Sequence, residues 1–322
     1  MQKVSVIMPC FNHARFVAES ANSILGQTEQ DLELIIVDDC SSDNSWEVIQ
    51  AVAQGDQRVR MMRHDQNRGA SRSRNDGLQA ARGEFVGFCD ADDIWEPQKL
   101  RAQLDLLQQF KEYPVVYCDA TIVDETGMPT GQRFSQRYSP PLNPSGRLFS
   151  DLIHQGNFIN MQSVLLRREC VDQVGYFDEG IKWVEDWWFW IRISHKHPFR
   201  YDPRALARYR VHSKSTNAVQ KRGYGINRYW VFKRVLQEYP DLPPMAKADI
   251  RYQMGVELLK LNKVQAGRRF MLKALRLTVL NHCAPKIFAK ATLRILMTLS
   301  QIGLVLSRNL SSAGSNEGQE SH

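Results

Sequence analysis

The chain has 322 residues, 43% of them hydrophobic and 24% charged, enough for one α/β domain with a smaller appendage and too apolar for a disordered protein. Its net charge of +7 is uneven: no Asp or Glu occurs from Leu258 to Asn316, where Lys260, Lys263, Arg268, Arg269, Lys273, Arg276, Lys286, Lys290, Arg294 and Arg308 collect. Such a basic tail points to an anionic partner, read here as membrane headgroups rather than nucleic acid. The six cysteines form no CxxC and no paired spacing, which excludes a disulfide framework and implies a reducing compartment.

In chain order, Val4 to Met8 is a short apolar run, and Arg15 to Leu25 has helical spacing through Phe16, Val17, Ala21, Ile24 and Leu25. The opening run, which ends at Pro9, is too short for a signal peptide or a membrane span, so a cytoplasmic location is expected. Leu32 to Val37 is a second β-branched run that stops at Asp38-Asp39. Ser42 or Asp43 can cap a helix carrying Trp46, Val48, Ile49 and Val52. Val59 to Met62 is a third strand, followed by a helix from about Ala70 to Ala81 and a strand from Phe85 to Cys89. Pro97 suits the first turn of a helix over Gln98 to Phe110, and Val115 to Cys118 makes another strand.

From Thr126 to Gly156 the composition turns to Pro, Ser, Gly and Arg, which predicts a long ordered loop rather than regular elements. Asn157 to Arg167 resumes a strand-like pattern, and Trp183 to His195 reads as a helix dense in tryptophan. Beyond Tyr209-Arg210-Val211-His212 the chain becomes helical and basic. Its two apolar stretches, Phe270 to Leu280 and Ile287 to Leu306, are broken by Arg or Lys and do not make spanning helices. They fit either an amphipathic surface lying peripherally on the inner leaflet or a helical bundle that packs on the preceding domain or makes a dimer. Ser311 to His322 is small and polar, and is expected to be a disordered tail. The domain plan is therefore a larger domain over 1–220, in two halves that meet at about 120, then a basic helical extension over 221–310.

Strands alternating with helices predict a mostly parallel, doubly wound sheet, in which ligands bind beyond the carboxyl ends of the strands. The residues falling there are Pro9, Asn12, Asp38, Asp39, Asp90, Asp92 and Asp93. The turn after the first strand, Pro9-Cys10-Phe11-Asn12-His13, lacks every glycine of a dinucleotide fingerprint or a P-loop, which excludes both. A diphosphate on so acidic an edge needs a cation between. Asp90-Ala91-Asp92-Asp93 offers hard oxygen ligands for Mg²⁺ or Mn²⁺, or else a solvated acidic turn with a helix cap at Asp93 or Glu96. Asp39 can accept an imide N–H such as that of uracil, whereas Asp43 reads as a cap. Arg74 shares a helical face with Ala70 and Ser71, so it can point back at the acidic edge. Glu185 and Asp186 sit among tryptophans, where desolvation raises a carboxylate pKa. They supply either a catalytic base or a pair for Arg192 beside a Trp core.

Val4-Ser-Val-Ile-Met-Pro-Cys-Phe-Asn, Ile36-Val-Asp-Asp-Cys-Ser-Ser-Asp, Asn67-Arg-Gly through Arg74-Asn-Asp-Gly, and Asp90-Ala-Asp-Asp together resemble a family 2 glycosyltransferase of the GT-A fold, over roughly residues 3–215. The resemblance implies inverting, metal-dependent transfer of a hexosyl or N-acetylhexosaminyl group from a UDP-sugar to a glycan or lipid-linked acceptor, as in cell-surface polysaccharide synthesis. It places Pro9, Phe11, Asn12, Asp39, Asn67, Arg74, Asp90, Ala91 and Asp92 around the donor. Its DxD pair falls on Asp90 and Asp92, and Asp92 is the expected metal ligand. Its Glu-Asp motif falls on Glu185 and Asp186, with Asp186 the base. Its YRxHxxS segment falls on Tyr209 to Ser215, which adds Arg210 at the diphosphate and His212 at the metal. Trp183 and Trp187 offer faces to the acceptor sugar. The readings set against this one are a sugar nucleotidyltransferase and a non-catalytic membrane-surface binding protein. The first lacks its Gly-rich triphosphate loop here, and the second leaves the intact acids unexplained.

Overall fold

The computed structural model describes residues 3–137, 145–213 and 224–280. It has two compact units, Met1–Lys221 and Arg222–His322, each with its own core. The first opens with β1 (Val4–Cys10), α1 (Val17–Leu25), β2 (Leu32–Asp38), α2 (Ser45–Gly55), β3 (Val59–Arg63), α3 (Ala70–Ala80) and β4 (Phe85–Phe88). Then come β5 (Ile94–Trp95), α4 (Lys99–Gln109), β6 (Val115–Val123), β7 (Pro129–Arg133), α5 (Phe149–Gln155), β8 (Val164–Arg167), α6 (Arg168–Val174), α7 (Glu185–Lys196) and β9 (Phe199–Arg210).

The sheet runs β3-β2-β1-β4-β8-β6-β9-β5, with β7 beside β6. β1 is parallel to both β2 and β4, β2 to β3, and β6 to β9; β5, β7 and β8 pair antiparallel. Helices cover both faces of β2, so all seven of its residues are buried and its apolar residues run together from Leu34 to Val37 instead of alternating. After β3 the chain returns to the far side of β1. The strand order therefore reverses between β1 and β4, and a ligand crevice belongs at their carboxyl ends.

The stretch from Thr126 to Gly156 departs from the expected loop: it holds β7, a 3-10 turn at Phe134–Arg137 and α5. All five β7 residues are exposed, so no apolar pattern marks them. The strand expected over Asn157 to Arg167 shrinks to β8, preceded by a 3-10 turn at Met161–Ser163. β6 reaches Val123, five residues past the expected end at Cys118. Pro97 lies one residue before the cap of α4 at Gln98.

The second unit begins with α8 (Tyr224–Glu238), α9 (Pro244–Lys260) and α10 (Val264–Leu280). Gly255 and Gly267 let α9 and α10 cross closely, since a Cβ on Gly255 would lie 3.0 Å from the Gly267 carbonyl. Met271 and Ala274 pack on Tyr252 there. The described part of the first apolar stretch is thus a helix packed on protein. The Ile287 to Leu306 stretch and the Ser311 to His322 tail lie outside the described residues. Among the described residues, no helix is long and apolar enough to cross a membrane.

Candidate active site

The turns after β1 and β2 are stitched into one rim. Asn12 takes a left-handed backbone, φ 57°. Its Oδ1 accepts hydrogen bonds from the Ser42 amide (2.8 Å) and the Asp43 amide (3.3 Å), so the Asn12 side chain is occupied by the fold. The His13 amide donates to Ser45 Oγ (2.9 Å) and the Ala14 amide to Asp43 Oδ2 (3.1 Å). Asp43 also accepts from the Ser45 amide (3.0 Å), so it braces the start of α2, whose cap position is Asn44. Pro9 lies half-buried on β1 and Phe11 is 43% exposed on the rim.

Asp39 follows β2 and is nearly fully buried. Its Oδ1 accepts from the Arg68 amide (2.8 Å) and meets His64 Nδ1 (2.7 Å); its Oδ2 accepts from the Gly69 amide (2.7 Å). Gly69 sits at φ 87°, which glycine adopts without strain, and this turns its amide onto the carboxylate as α3 begins. Asn67 Nδ2 donates to the Asp39 carbonyl (3.4 Å). His64 Nε2 meets Asp76 Oδ2 (2.9 Å), so the imidazole spans two carboxylates. Nothing in the local pattern singled out His64; its place just after β3, on the same rim as the acids, was the one available signal.

Arg74 points back from α3 as its helical face predicted. It is buried, and its two terminal nitrogens meet Asp90 Oδ1 and Glu185 Oε1, each at 2.8 Å. It therefore joins the nucleotide half of the domain to the half that carries Asp186. Asp90 is turned to Arg74, whereas Asp92 is turned the other way, its Oδ2 3.0 Å from His212 Nε2. Burial disfavours the charge on Asp92, but the His212 hydrogen bond and nearby His13 outweigh it and hold the pKa below the ordinary value. Among the described residues, the group whose ligand atoms lie within 4.8 Å of one another is His13, Asp92 and His212. Asp90 is not in that group, which corrects its expected place at the metal: its carboxylate is engaged by Arg74. His13 is the third member of that cluster and was not singled out in the sequence, although it too lies just past the end of a strand.

Three further expectations are corrected. Arg210 is 2% exposed, and its guanidinium is spent on Glu19 Oε2 (2.6 Å), the Asp92 carbonyl (2.8 Å) and the Glu125 carbonyl (3.0 Å). It latches the acidic turn in place and is not aimed at a diphosphate. Its amide donates to Asp93 Oδ1 (2.8 Å), so Asp93 is a buried anchor rather than a helix cap. Burial, with Asp92 and Asp90 nearby, pushes the Asp93 pKa well above the usual carboxylate range. Trp187 is fully buried and its Nε1 donates to the Leu152 carbonyl (2.9 Å), so it is core and offers no face to an acceptor. Trp183 is 41% exposed, with φ 66°, an uncommon conformation for a bulky residue that marks strain beside Glu185 and Asp186.

Glu185 and Asp186 form the first turn of α7. Asp186 Oδ2 accepts from Asn157 Nδ2 (2.7 Å) and Oδ1 from the Trp187 amide (2.7 Å). Burial first, then the charge of Glu185, raise the Asp186 pKa to about 7, with Arg74 opposing. Arg192 donates to the Val174 and Tyr176 carbonyls.

Among families of known proteins, glycosyl transferase family 2 matches residues 5–174 of this chain. The putative teichuronic acid biosynthesis glycosyltransferase TuaG of Bacillus subtilis is 34% identical over 128 residues, which are 38% of this chain and 51% of TuaG. The chain spans 34% to 55% of the length of several curated relatives that it matches. In fold, it is similar to S. aureus TarS 1-349 in complex with UDP-GlcNAc (TM-score 0.66, 20% identity, 86% of this chain and 83% of that one). It is also similar to the mannosyltransferase PcManGT of Pyrobaculum calidifontis in complex with GDP-Man and Mn²⁺ (TM-score 0.55, 18% identity, 99% of this chain and 88% of that one).

Proposed function

The chain belongs to glycosyl transferase family 2, and on that premise we propose that it moves one hexosyl or N-acetylhexosaminyl group from a UDP-sugar to a hydroxyl of a glycan or lipid-linked glycan, with inversion. The observation that carries the reading is Arg74: one buried guanidinium ties Asp90, on the donor rim, to Glu185, the neighbour of Asp186. Donor rim and candidate base thus share one ion-paired frame. The TuaG relative supports a cell-surface polysaccharide as the product, and the UDP-GlcNAc in TarS supports a UDP-linked donor.

In this mechanism the uracil N3–H donates to Asp39 Oδ2, which accepts one protein hydrogen bond, from Gly69. Phe11 offers its exposed ring to the base, and Asn67 holds the Asp39 main chain. The donor set near the diphosphate, Asp92 with imidazoles, fits a divalent cation such as Mn²⁺ or Mg²⁺. Such an ion would offset the negative charge that develops on the leaving diphosphate. Asp186 takes the proton of the acceptor hydroxyl while its oxygen attacks the anomeric carbon and the bond to the diphosphate breaks, its electrons leaving with UDP. A carboxylate with a pKa near the working pH suits that task. Trp183 gives the incoming sugar an aromatic face. The basic outer face of α10 would bring the enzyme to an anionic membrane that carries its acceptor.

The test is UDP release from a panel of UDP-, dTDP- and GDP-sugars, with Asp186→Asn alongside. We expect release from a UDP-sugar, its arrest by EDTA and its return with Mn²⁺ or Mg²⁺. Asp186→Asn should lower turnover by about 10²–10⁴-fold with UDP binding retained. Turnover close to wild type in that variant removes Asp186 from the base role, and release only from GDP-sugars overturns the donor.

A further inference from the structure

We propose that His13 is a third protein ligand to the divalent cation, so that His13, Asp92 and His212 bind the metal before any nucleotide arrives and prefer Mn²⁺ to Mg²⁺. The proposal rests on the reading of this rim as a metal-dependent donor site and adds to it a ligand and a selectivity.

The three side chains come from three separate segments: the turn after β1, the turn after β4 and the residues after β9. Bonds of about 2.1 Å put two ligands of one ion at most about 4.2 Å apart. The three ligand atoms already lie within 4.8 Å of one another, so small side-chain adjustments close the set. Each ligand is held from behind. The His13 backbone is fixed at its amide by Ser45 Oγ and at its carbonyl by the amides of Phe16 and Val17. Asp92 is fixed at its carbonyl by the buried Arg210 guanidinium. The His212 ring packs 5.1 Å from Phe16 and meets the His13 ring edge-on at 6.0 Å. A site so braced has little to reorganise when the ion enters.

Selectivity follows from the donor atoms. Mg²⁺ favours oxygen and gives up its waters reluctantly, whereas imidazole nitrogen suits first-row transition metals. An edge of carboxylates alone would leave the ion dependent on nucleotide phosphates and would make Mg²⁺ nearly as good as Mn²⁺. Two imidazoles and one carboxylate tip the balance toward Mn²⁺.

Mn²⁺ titration of the full chain, followed by electron paramagnetic resonance with and without UDP, decides the matter. Wild type should bind Mn²⁺ without UDP, with two imidazole nitrogens coupled to the ion, and Mg²⁺ should compete at least about tenfold less well. His13→Ala should weaken Mn²⁺ binding by about tenfold or more, leave one coupled nitrogen and narrow the gap to Mg²⁺. His13→Asn, which keeps a polar side chain in the turn, guards against a folding artefact and should behave alike at an unchanged melting temperature. Binding that His13→Ala and His13→Asn leave untouched, or a single coupled nitrogen in wild type, overturns the proposal while the metal reading of the rim stands. Absence of Mn²⁺ binding in wild type, with or without UDP, defeats that underlying reading and the proposal together.

Discussion

A base is most useful when its pKa sits near the operating pH, and Asp186 reaches about 7 because burial and Glu185 both resist its charge. The ionised form is the competent one, so kcat should fall as pH drops through about 7 and level off above it. Asn157 donates to the carboxylate and so favours that ionised form. Asn157→Ala should therefore move the acid limb of the pH profile upward by about one unit, the lower end of what a hydrogen bond to a charged group is worth. Turnover near neutrality should drop with the KM for the donor unchanged; an unmoved limb would make Asn157 merely structural. No sequence pattern pointed to Asn157, because its partner lies 29 positions away and no element had been assigned to hold the two together. Asp92 and Arg74 could be placed from the chain because a strand end and a helical face fix where their side chains go, whereas Asp186 was singled out by the resemblance and by its tryptophan neighbours. Arg210 and Trp187 misled because an arginine between Tyr209 and Val211 and a tryptophan run carry no local mark of burial.

At the level of elements, α3 carries Arg74 to the rim proposed for the donor, and its seat on β1 depends on Gly77. Helix propensity favours Gly77→Ala by about 1 kcal/mol. The packing opposes it, since a Cβ there would lie 2.5 Å from Ile7 Cγ2 in the middle of β1. Overpacking of this kind costs about 1–3 kcal/mol, so the clash outweighs the propensity. Urea unfolding should show Gly77→Ala destabilised, with weaker donor binding as α3 is pushed off the sheet and Arg74 with it. A gain in stability would mean that Ile7 yields freely. The alternating first third of the chain was read well because β1, β2 and β4 are mainly apolar, with only Ser5, Glu33 and Asp38 as polar or charged members. β9 was not, since Phe199–Arg210 contains Pro203 and four arginines and looks like surface. The fold accommodates each of them. Pro203 falls where the register with β6 shifts, Arg204 pairs with Asp202, Arg208 with Glu96 and Arg210 with Glu19, while Arg200 lies over the Phe110 ring. Pairings like these are made by tertiary contacts, and hydropathy along the chain does not register them.

At the scale of the whole molecule, the asymmetry of charge that opens the sequence finds a physical form in α10. One face, with Gly267, Met271 and Ala274, is buried against α9, as the spacing of its apolar residues requires. The other exposes Arg268, Arg269, Lys273 and Arg276 around Leu272, which is 46% exposed. One face of the helix packs within its own unit, and the basic face opposite is the one proposed to meet a membrane. A basic residue near an anionic surface contributes about 1 kcal/mol, so four together exceed the thermal energy several-fold. The full chain should therefore sediment with phosphatidylglycerol vesicles and much less with phosphatidylcholine vesicles, and added salt should weaken the binding as it shortens the Debye length. Replacing Arg268, Arg269, Lys273 and Arg276 by Gln should cut vesicle binding by at least about tenfold. UDP release in the absence of membranes should be unchanged, because none of the four is among the residues proposed to hold the donor. Equal binding of wild type and the fourfold variant would exclude this face as the contact, and equal binding to neutral and anionic vesicles would exclude electrostatics as its cause.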